Sequence, residues 1–311
     1  MTLYRVAPFL FFATTACALS AEPVARPEPA PTPTPSTASG PARPPAGQLP
    51  PAIPAPPAPV REEFRISGKL EQGGWIKGLV PMGTVSARLG DEEIDFDVNG
   101  AFFAAFDRDE GPVAQLEATL ASGKVVTREL AIKPRSWDIE HVNVALRPST
   151  SSEAFRKRRA VELEAIWTSR QKDTDAQGWR KDFIWPVTGR ISGRFGSQRI
   201  YRGEPGSYHS GLDIAGGAGT TYVAPADGTV VLAEQDYSLE GQLLIIDHGQ
   251  GLNSAFLHSS ALLVSEGQAV KQGQPLGRIG SSGRATGPHL HWSLVWKDKR
   301  LDPLLFLPPM P

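Results

Sequence analysis

The chain has 311 residues, 40% of them hydrophobic, which suits two modest domains with tails rather than one small fold. Lysine and arginine number 32 against 33 aspartates and glutamates, so no basic excess directs the chain to nucleic acid and no acidic block marks a solvated tail. The single cysteine, Cys17, excludes an internal disulfide and any site built on two or more thiolates, so a metal would have to be held by His, Asp or Glu.

The first 21 residues read as an export signal. Arg5 supplies the positive start, Val6 to Ala13 form an apolar run, and small residues follow through Ala21. The run is too short for a stable bilayer-spanning helix, which needs about 20 apolar residues. Two fates follow from this segment. Cleavage near Ala18 to Ala21 would release the protein into the periplasm or cell envelope. Alternatively, Thr15-Ala16-Cys17 resembles a lipoprotein cleavage site, with membrane attachment through a lipidated Cys17. Thr14 stands where such signals usually carry Leu, so release is the favoured expectation.

Residues 22–61 form a Pro/Ala-rich linker containing about half of the chain's 29 prolines. Proline lacks the N–H that helices and ladders require, so the segment favours polyproline II. At ~3.1 Å per residue its reach is on the order of 100 Å.

Residues 62–150 read as a small β-sandwich-like domain. Phe64 to Gly68, Val85 to Leu89, Ile94 to Val98, Phe102 to Phe106, Val113 to Leu120 and Val125 to Leu130 are the candidate strands, several alternating apolar and polar residues. Asn99-Gly100 and Ser122-Gly123 supply turns. Residues 62–135 contain no histidine and are assigned no chemistry. Residues 151–182 are a helical connector: Phe155, Ala160, Leu163 and Ile166 recur near helical spacing among charged residues.

From 183 to 311 the pattern returns to β, with candidate strands at Gly189 to Arg194, Thr229 to Glu234, Gln242 to Asp247, Asn253 to Leu257, Pro275 to Ile279 and His289 to Val295. Five of the six histidines fall in this last third: His209, His248, His258, His289 and His291. In His289-Leu290-His291, residues i and i+2 of a strand face the same side, while Trp292, Leu294 and Trp296 with the opposite parity can pack a core. His209-Ser210-Gly211-Leu212-Asp213 lies among glycines and reads as a loop or tight hairpin, from which a His and a carboxylate can reach one metal. Two ligands from this segment and one from the later strand make the three that a catalytic zinc takes, leaving one position for water. His258 ends a further strand. His248, in Asp247-His248-Gly249, is expected to make structural hydrogen bonds, and His141 to be a surface or connector residue. Arg199, Arg284 and Thr286 read as loop-shaping residues with a lesser claim to the substrate groove.

His209-x-x-x-Asp213, a strand ending in His258, and His289-x-His291, in that order, resemble the lysostaphin-type (M23) zinc metallopeptidases of bacterial cell walls. The flanking segments Gly211 to Ala215, Val223 to Gly228, Val270 to Gln274 and Gly280 to His289 resemble the same family, so the likeness covers about residues 183–308. It implies a mainly β fold with a C-terminal antiparallel peptidase domain and a zinc-dependent endopeptidase acting on peptidoglycan peptides. By the same resemblance His209, Asp213 and His291 hold Zn2+, His289 is the general base, and His258 stabilises the oxyanion. Phe256 departs from the family, where Tyr is frequent, which puts one substrate hydrogen bond in doubt.

The rival reading is a non-catalytic wall-binding protein or activator of other wall hydrolases, the fate of relatives that lost their ligands. Every ligand and both additional histidines are present here. Biotinyl-type and sugar-phosphotransfer β domains share echoes around Ala226 to Val230 and Gly267 to Gln274, but they need no such histidine set and the export signal opposes them. The front domain is expected either to cover the groove or to present substrate, with a lean toward cover.

Overall fold

The structure is a computed structural model that describes residues 61–145 and 152–311. The export signal, the Pro/Ala-rich linker and Cys17 lie outside the described residues. No helix among the described residues is long and apolar enough to cross a membrane.

The C-terminal part is organised by an eight-stranded sheet. Its strands run in the order Ala269–Val270, Gly228–Tyr237, Gly241–Asp247, Leu252–Ser259, His289–Trp296, Leu212–Ala215 and Arg190–Gly193, with Lys299–Leu301 paired to His289–Trp296. Every pairing in it is antiparallel. All six strands expected from the pattern between 189 and 295 are present within a few residues of their expected ends. Leu212–Ala215 is a further strand, so Asp213 sits on a strand rather than on the expected loop or hairpin. Its apolar residues are too few for alternation to announce it, and its pairing with His289–Trp296 holds it extended.

Residues 61–131 carry two sheets. One has the order Arg65–Gly68, Trp75–Leu79, Ala101–Ala105; the other Glu92–Glu93, Thr84–Leu89, Val113–Leu120, Val125–Ala131. The expected strand Ile94 to Val98 does not form: only Glu92–Glu93 is paired, Phe96 makes an isolated bridge to Phe102, and Asp97 caps the turn by accepting from the Asn99 and Ala101 N–H groups at 2.8 Å each. The Asx turn thus replaces the ladder there.

The apolar core is contiguous from the front sheets into the large sheet. Trp75 lies against Phe306 with ring centroids 5.3 Å apart, and Phe103 meets Trp296 at 6.5 Å. The Trp75 indole N–H donates to the Leu305 carbonyl, and Arg135 pairs with the buried Asp302 at 2.7 Å. Ile139–Val142 pairs in parallel with Gln198–Tyr201.

The connector helix spans Glu153–Arg170, capped by Ser152 Oγ accepting from the Phe155 N–H at 3.1 Å. It packs on Gly228–Tyr237 and Gly241–Asp247 of the large sheet. Ile166 joins Val231, Leu232, Leu243, Ile245 and Ala255 in a second, small apolar cluster. Its remaining anchors are charged. Arg159 grips Glu240 through two bonds of 2.6 and 2.7 Å, and the buried Glu162 accepts from Arg158, Arg159 and Ser238.

Candidate metal centre and hydrolytic site

Strand alternation divides His289–Trp296 into two faces. Leu290, Trp292, Leu294 and Trp296 are fully buried on the core side. His289 and His291 project from the other side, as their i, i+2 spacing requires. Antiparallel register sets Asp213 opposite His291, and directly opposed residues share a face with Cβ atoms ~4.5–5.5 Å apart. The result is a short approach: Asp213 Oδ1 lies 2.8 Å from His291 Nδ1.

His209 reaches the same point from a loop. Its backbone N–H donates to the Ser197 carbonyl and its carbonyl accepts from the Gly196 N–H, pinning the loop to the segment after Arg190–Gly193. Its Nδ1 lies 3.0 Å from the Arg194 carbonyl, which can only accept, so Nδ1 carries the proton and Nε2 faces inward as a lone pair. That Nε2 is 3.0 Å from Asp213 Oδ1 and 3.2 Å from His291 Nδ1.

The three donor atoms all lie within 4.8 Å of one another, and they are two imidazole nitrogens and one carboxylate oxygen. Three lone-pair donors this close repel unless a cation or proton sits among them. The set matches the donors of a catalytic zinc with one position open, so the residues fit the metal that the sequence implied. Two glycines make the approach feasible. A Cβ on Gly193 would stand 2.4 Å from Asp213 Oδ2, and one on Gly211 2.7 Å from His291 Nε2. Nothing in the local sequence pattern marks Gly193, because what its missing side chain makes room for lies on another strand.

The electrostatics follow from burial opposed by pairing. Burial works against a charged Asp213, but hydrogen bonds from His209 and His291 in their imidazolium forms outweigh it and hold the carboxyl well below the usual range. Burial also disfavours a charged His209, yet Asp213 lifts its pKa above the ordinary value. His291 is lowered, mainly by burial.

The other two histidines flank the triad. His289 Nδ1 is 2.8 Å from the Gly287 carbonyl, so it is the protonated nitrogen and Nε2 is free, 3.7 Å from Asp213 Oδ1. His258 Nδ1 is 2.9 Å from the Ser282 carbonyl, which fixes the same tautomer. The His258 ring lies 5.0 Å from that of His289 and 6.2 Å from that of His291, and burial lowers its pKa. His258 follows Leu257, which is paired with His291 on the groove side, so plain alternation would aim it into the core. A left-handed φ of 64° turns it back to the groove. The carbonyls of Arg194, Ser282 and Gly287 thus set three tautomers, and no sequence signal identifies a carbonyl in that role.

The remaining candidates fall elsewhere. His248 is fully buried, with Nδ1 2.7 Å from the Asp227 carbonyl and Nε2 2.7 Å from Ser254 Oγ, as a structural histidine. His141 is exposed on Ile139–Val142. Arg199 pairs with Glu140 at 2.6 Å, and Arg284 donates its backbone N–H to Leu239 in the exposed loop that also carries Thr286. Phe256 stacks between Tyr222 and Trp292 on the core side, at 5.4 and 6.5 Å. A tyrosine hydroxyl there would enter the core, not the groove.

A His/Asp/His donor set flanked by two further imidazoles, carried on an antiparallel sheet, is suited to hold one metal ion beside two proton-transfer groups. Residues 207–303, which hold all five of these side chains, match peptidase family M23. The chain's relatives include the lipoprotein NlpD/LppB homolog of Pseudomonas aeruginosa, 40% identical over 131 residues, which are 42% of this chain and 40% of that protein. The murein hydrolase activator NlpD of Salmonella dublin is 38% identical over 42% of this chain and 31% of its own length. The peptidoglycan DD-endopeptidase ShyA of Vibrio cholerae is 36% identical over 36% of this chain and 26% of its own length. The match therefore spans two fifths or less of these relatives. A crystal structure of a candidate M23 peptidase from Pseudomonas aeruginosa shares the fold more widely: it covers 76% of this chain and 95% of its own, with a TM-score of 0.59 and 27% identity.

Proposed function

We propose that this chain is a zinc-dependent endopeptidase that hydrolyses peptide cross-links of peptidoglycan in the cell envelope. The observation that carries the reading is the convergence of His209 Nε2, Asp213 Oδ1 and His291 Nδ1 beside two imidazoles whose Nε2 atoms make no hydrogen bond among the described residues. His209, Asp213 and His291 would hold Zn2+, which when bound supplies a Lewis acid for water and the scissile carbonyl. His289, its Nδ1–H committed to Gly287, offers Nε2 as the base that takes the proton of the attacking water and returns it to the leaving amine. His258 donates from Nε2 only as an imidazolium, because Nδ1 already serves Ser282. In that form, with its second proton taken from solvent before attack, His258 would stabilise the negative charge growing on the substrate oxygen.

A second reading rests on the relatives named murein hydrolase activators: binding to wall without cleavage. One experiment separates them. The exported form is incubated with purified peptidoglycan and the products are identified by mass spectrometry, alongside elemental analysis. The peptidase reading expects new amino termini from cut cross-links and close to one zinc per chain, with both lost in Asp213→Ala. Wall binding without products, or full zinc retained by Asp213→Ala, would overturn it.

The name of the Pseudomonas relative bears on the N-terminus. We propose anchoring through a lipidated Cys17 in place of release, in keeping with the lipoprotein name of that 40% identical relative. We further propose that residues 62–150 are a separate domain, dispensable for the chemistry, joined by the connector 151–182 to the peptidase domain 183–311. Among the described residues, the cavity beside His291 is lined by the connector helix and by none of 62–150. This supports the connector, rather than the front domain, as the element that limits access to the groove.

A further inference from the structure

The connector helix crosses the same sheet face that carries the histidines. Between helix and sheet lies a cavity of about 180 Å³, whose lining includes Arg159, Arg170, Ser210, His291, Ser293 and Arg300. It therefore adjoins the proposed metal centre directly, through a ligand (His291) and through the neighbour of another (Ser210).

The charges around this cavity do not balance. Arg159 is spent on Glu240, the one acid in the lining. Arg170 has no hydrogen-bond or ion-pair partner among the described residues, and its Nε is shut off from water. Arg300, exposed at the rim, forms no ion pair among the described residues either; its guanidinium lies 5.5 Å from the centre of the Tyr208 ring and hydrogen-bonds that tyrosine's side chain. Burial and the nearby Arg300 push the Arg170 pKa down to about 10, which leaves it charged at neutral pH. A buried guanidinium N–H without an acceptor is costly to keep, and the second positive charge of Arg300 beside it adds to that cost. The group that resolves this is an oxyanion, and guanidinium donors match a carboxylate in geometry as well as charge.

We propose that the cavity beneath the connector helix is a substrate subsite in which Arg170 and Arg300 bind a free carboxylate of the peptide, adjacent to the bond being cut. The inference rests on the peptidase reading for the identity of the ligand, and on the unpaired Arg170 Nε and the second guanidinium beside it for its chemistry. It makes the connector helix part of the specificity apparatus: Arg170 is its last residue, and the Arg159–Glu240 and Glu162 contacts hold that residue in place.

The test uses the full exported chain after chelator treatment, so that no metal can hold the carboxylate. The probes are N-acetyl-alanyl-alanine and its C-terminal amide, with affinity read by NMR titration. The acid should bind roughly ten- to a hundred-fold more tightly than the amide, the range of a charge-assisted contact. Arg170→Gln and Arg300→Gln should each reduce that preference, and Arg170→Lys should restore part of it. Helical circular dichroism and melting temperature check that each variant is folded. Equal binding of acid and amide, or a preference that survives both glutamine variants, would overturn the subsite. Failure of the peptidase reading looks different: the carboxylate preference would stand while the zinc-loaded chain releases no product from peptidoglycan.

Discussion

On one face of His289–Trp296, Leu290, Trp292, Leu294 and Trp296 are sealed against Phe256, Phe183 and Phe103. On the other, one residue away each time, sit His289, His291 and Ser293. The core face is held by apolar burial, which is non-directional and worth about 1.5–3 kcal/mol per large side chain. The groove face is held by directional contacts to carbonyls and carboxylates, and its helix covers it largely through ions. The difference teaches where the precision of the site comes from. Aromatic packing stiffens the strand, and that stiffness lets three lone-pair donors be held together at distances they would otherwise avoid.

If the two faces divide the work in this way, damage to one should be separable from damage to the other. The largest effect belongs to the groove. His289→Ala should lower hydrolysis by roughly 10²–10⁴-fold with zinc content and melting temperature unchanged. His258→Ala should lower it by about 2.7–4 kcal/mol of barrier, also with zinc kept. Product quantification beside elemental analysis checks both. A His289→Ala protein as zinc-poor as His291→Ala would mean that the two histidines share ligation.

The core face should give the reverse. Trp292→Ala is expected to cost about 3–5 kcal/mol of stability, read from denaturant unfolding, because Phe183 and Phe256 lose a stacked partner. The fraction that remains folded should still bind zinc. Loss of metal from folded Trp292→Ala would break the separation of the faces.

Truncation tests a different division. A chain beginning at Asp182 lacks the front domain and the connector helix. It is expected to cleave a short soluble cross-linked muropeptide with a higher kcat, since the groove is uncovered, but with a higher KM, since Arg170 is gone, and to melt at lower temperature, since Phe306 and Trp296 lose Trp75 and Phe103. An unchanged kcat on the small substrate would exclude a covering role, and an unfolded product would defeat the independence of the domain.

The smallest effect concerns His248, on no catalytic path. Burial holds it neutral, with its pKa lowered from 6.5 to about 4. The unfolded chain takes up a proton in that interval and the folded one does not. The stabilisation is therefore complete above about 6.5 and is lost as pH falls through about 4. His248→Gln should destabilise by about 1–3 kcal/mol and flatten the pH dependence of unfolding in this window.

Much of the site was legible in the sequence because its grammar is local. The i, i+2 spacing of His289 and His291 fixes their common face, and the alternating tryptophans name the opposite one. Helical spacing located Glu153–Arg170, and a single cysteine restricted the donors to His and carboxylate. The order of the motifs then carried the family resemblance.

What only the tertiary structure decided depends on partners far apart in the chain. The register that sets Asp213 against His291 joins residues 78 positions apart. The left-handed turn at His258 reverses the side that alternation would assign, and its tautomer is set by Ser282, 24 positions on. The strand at Leu212–Ala215 exists through pairing on both edges rather than through its own pattern. Arg170 and Arg300 meet at one cavity only because the connector helix lies across the sheet. Periodicity records which way a side chain points from its own backbone; which other backbone stands opposite is settled by long-range packing, and on that packing the distances of the site depend.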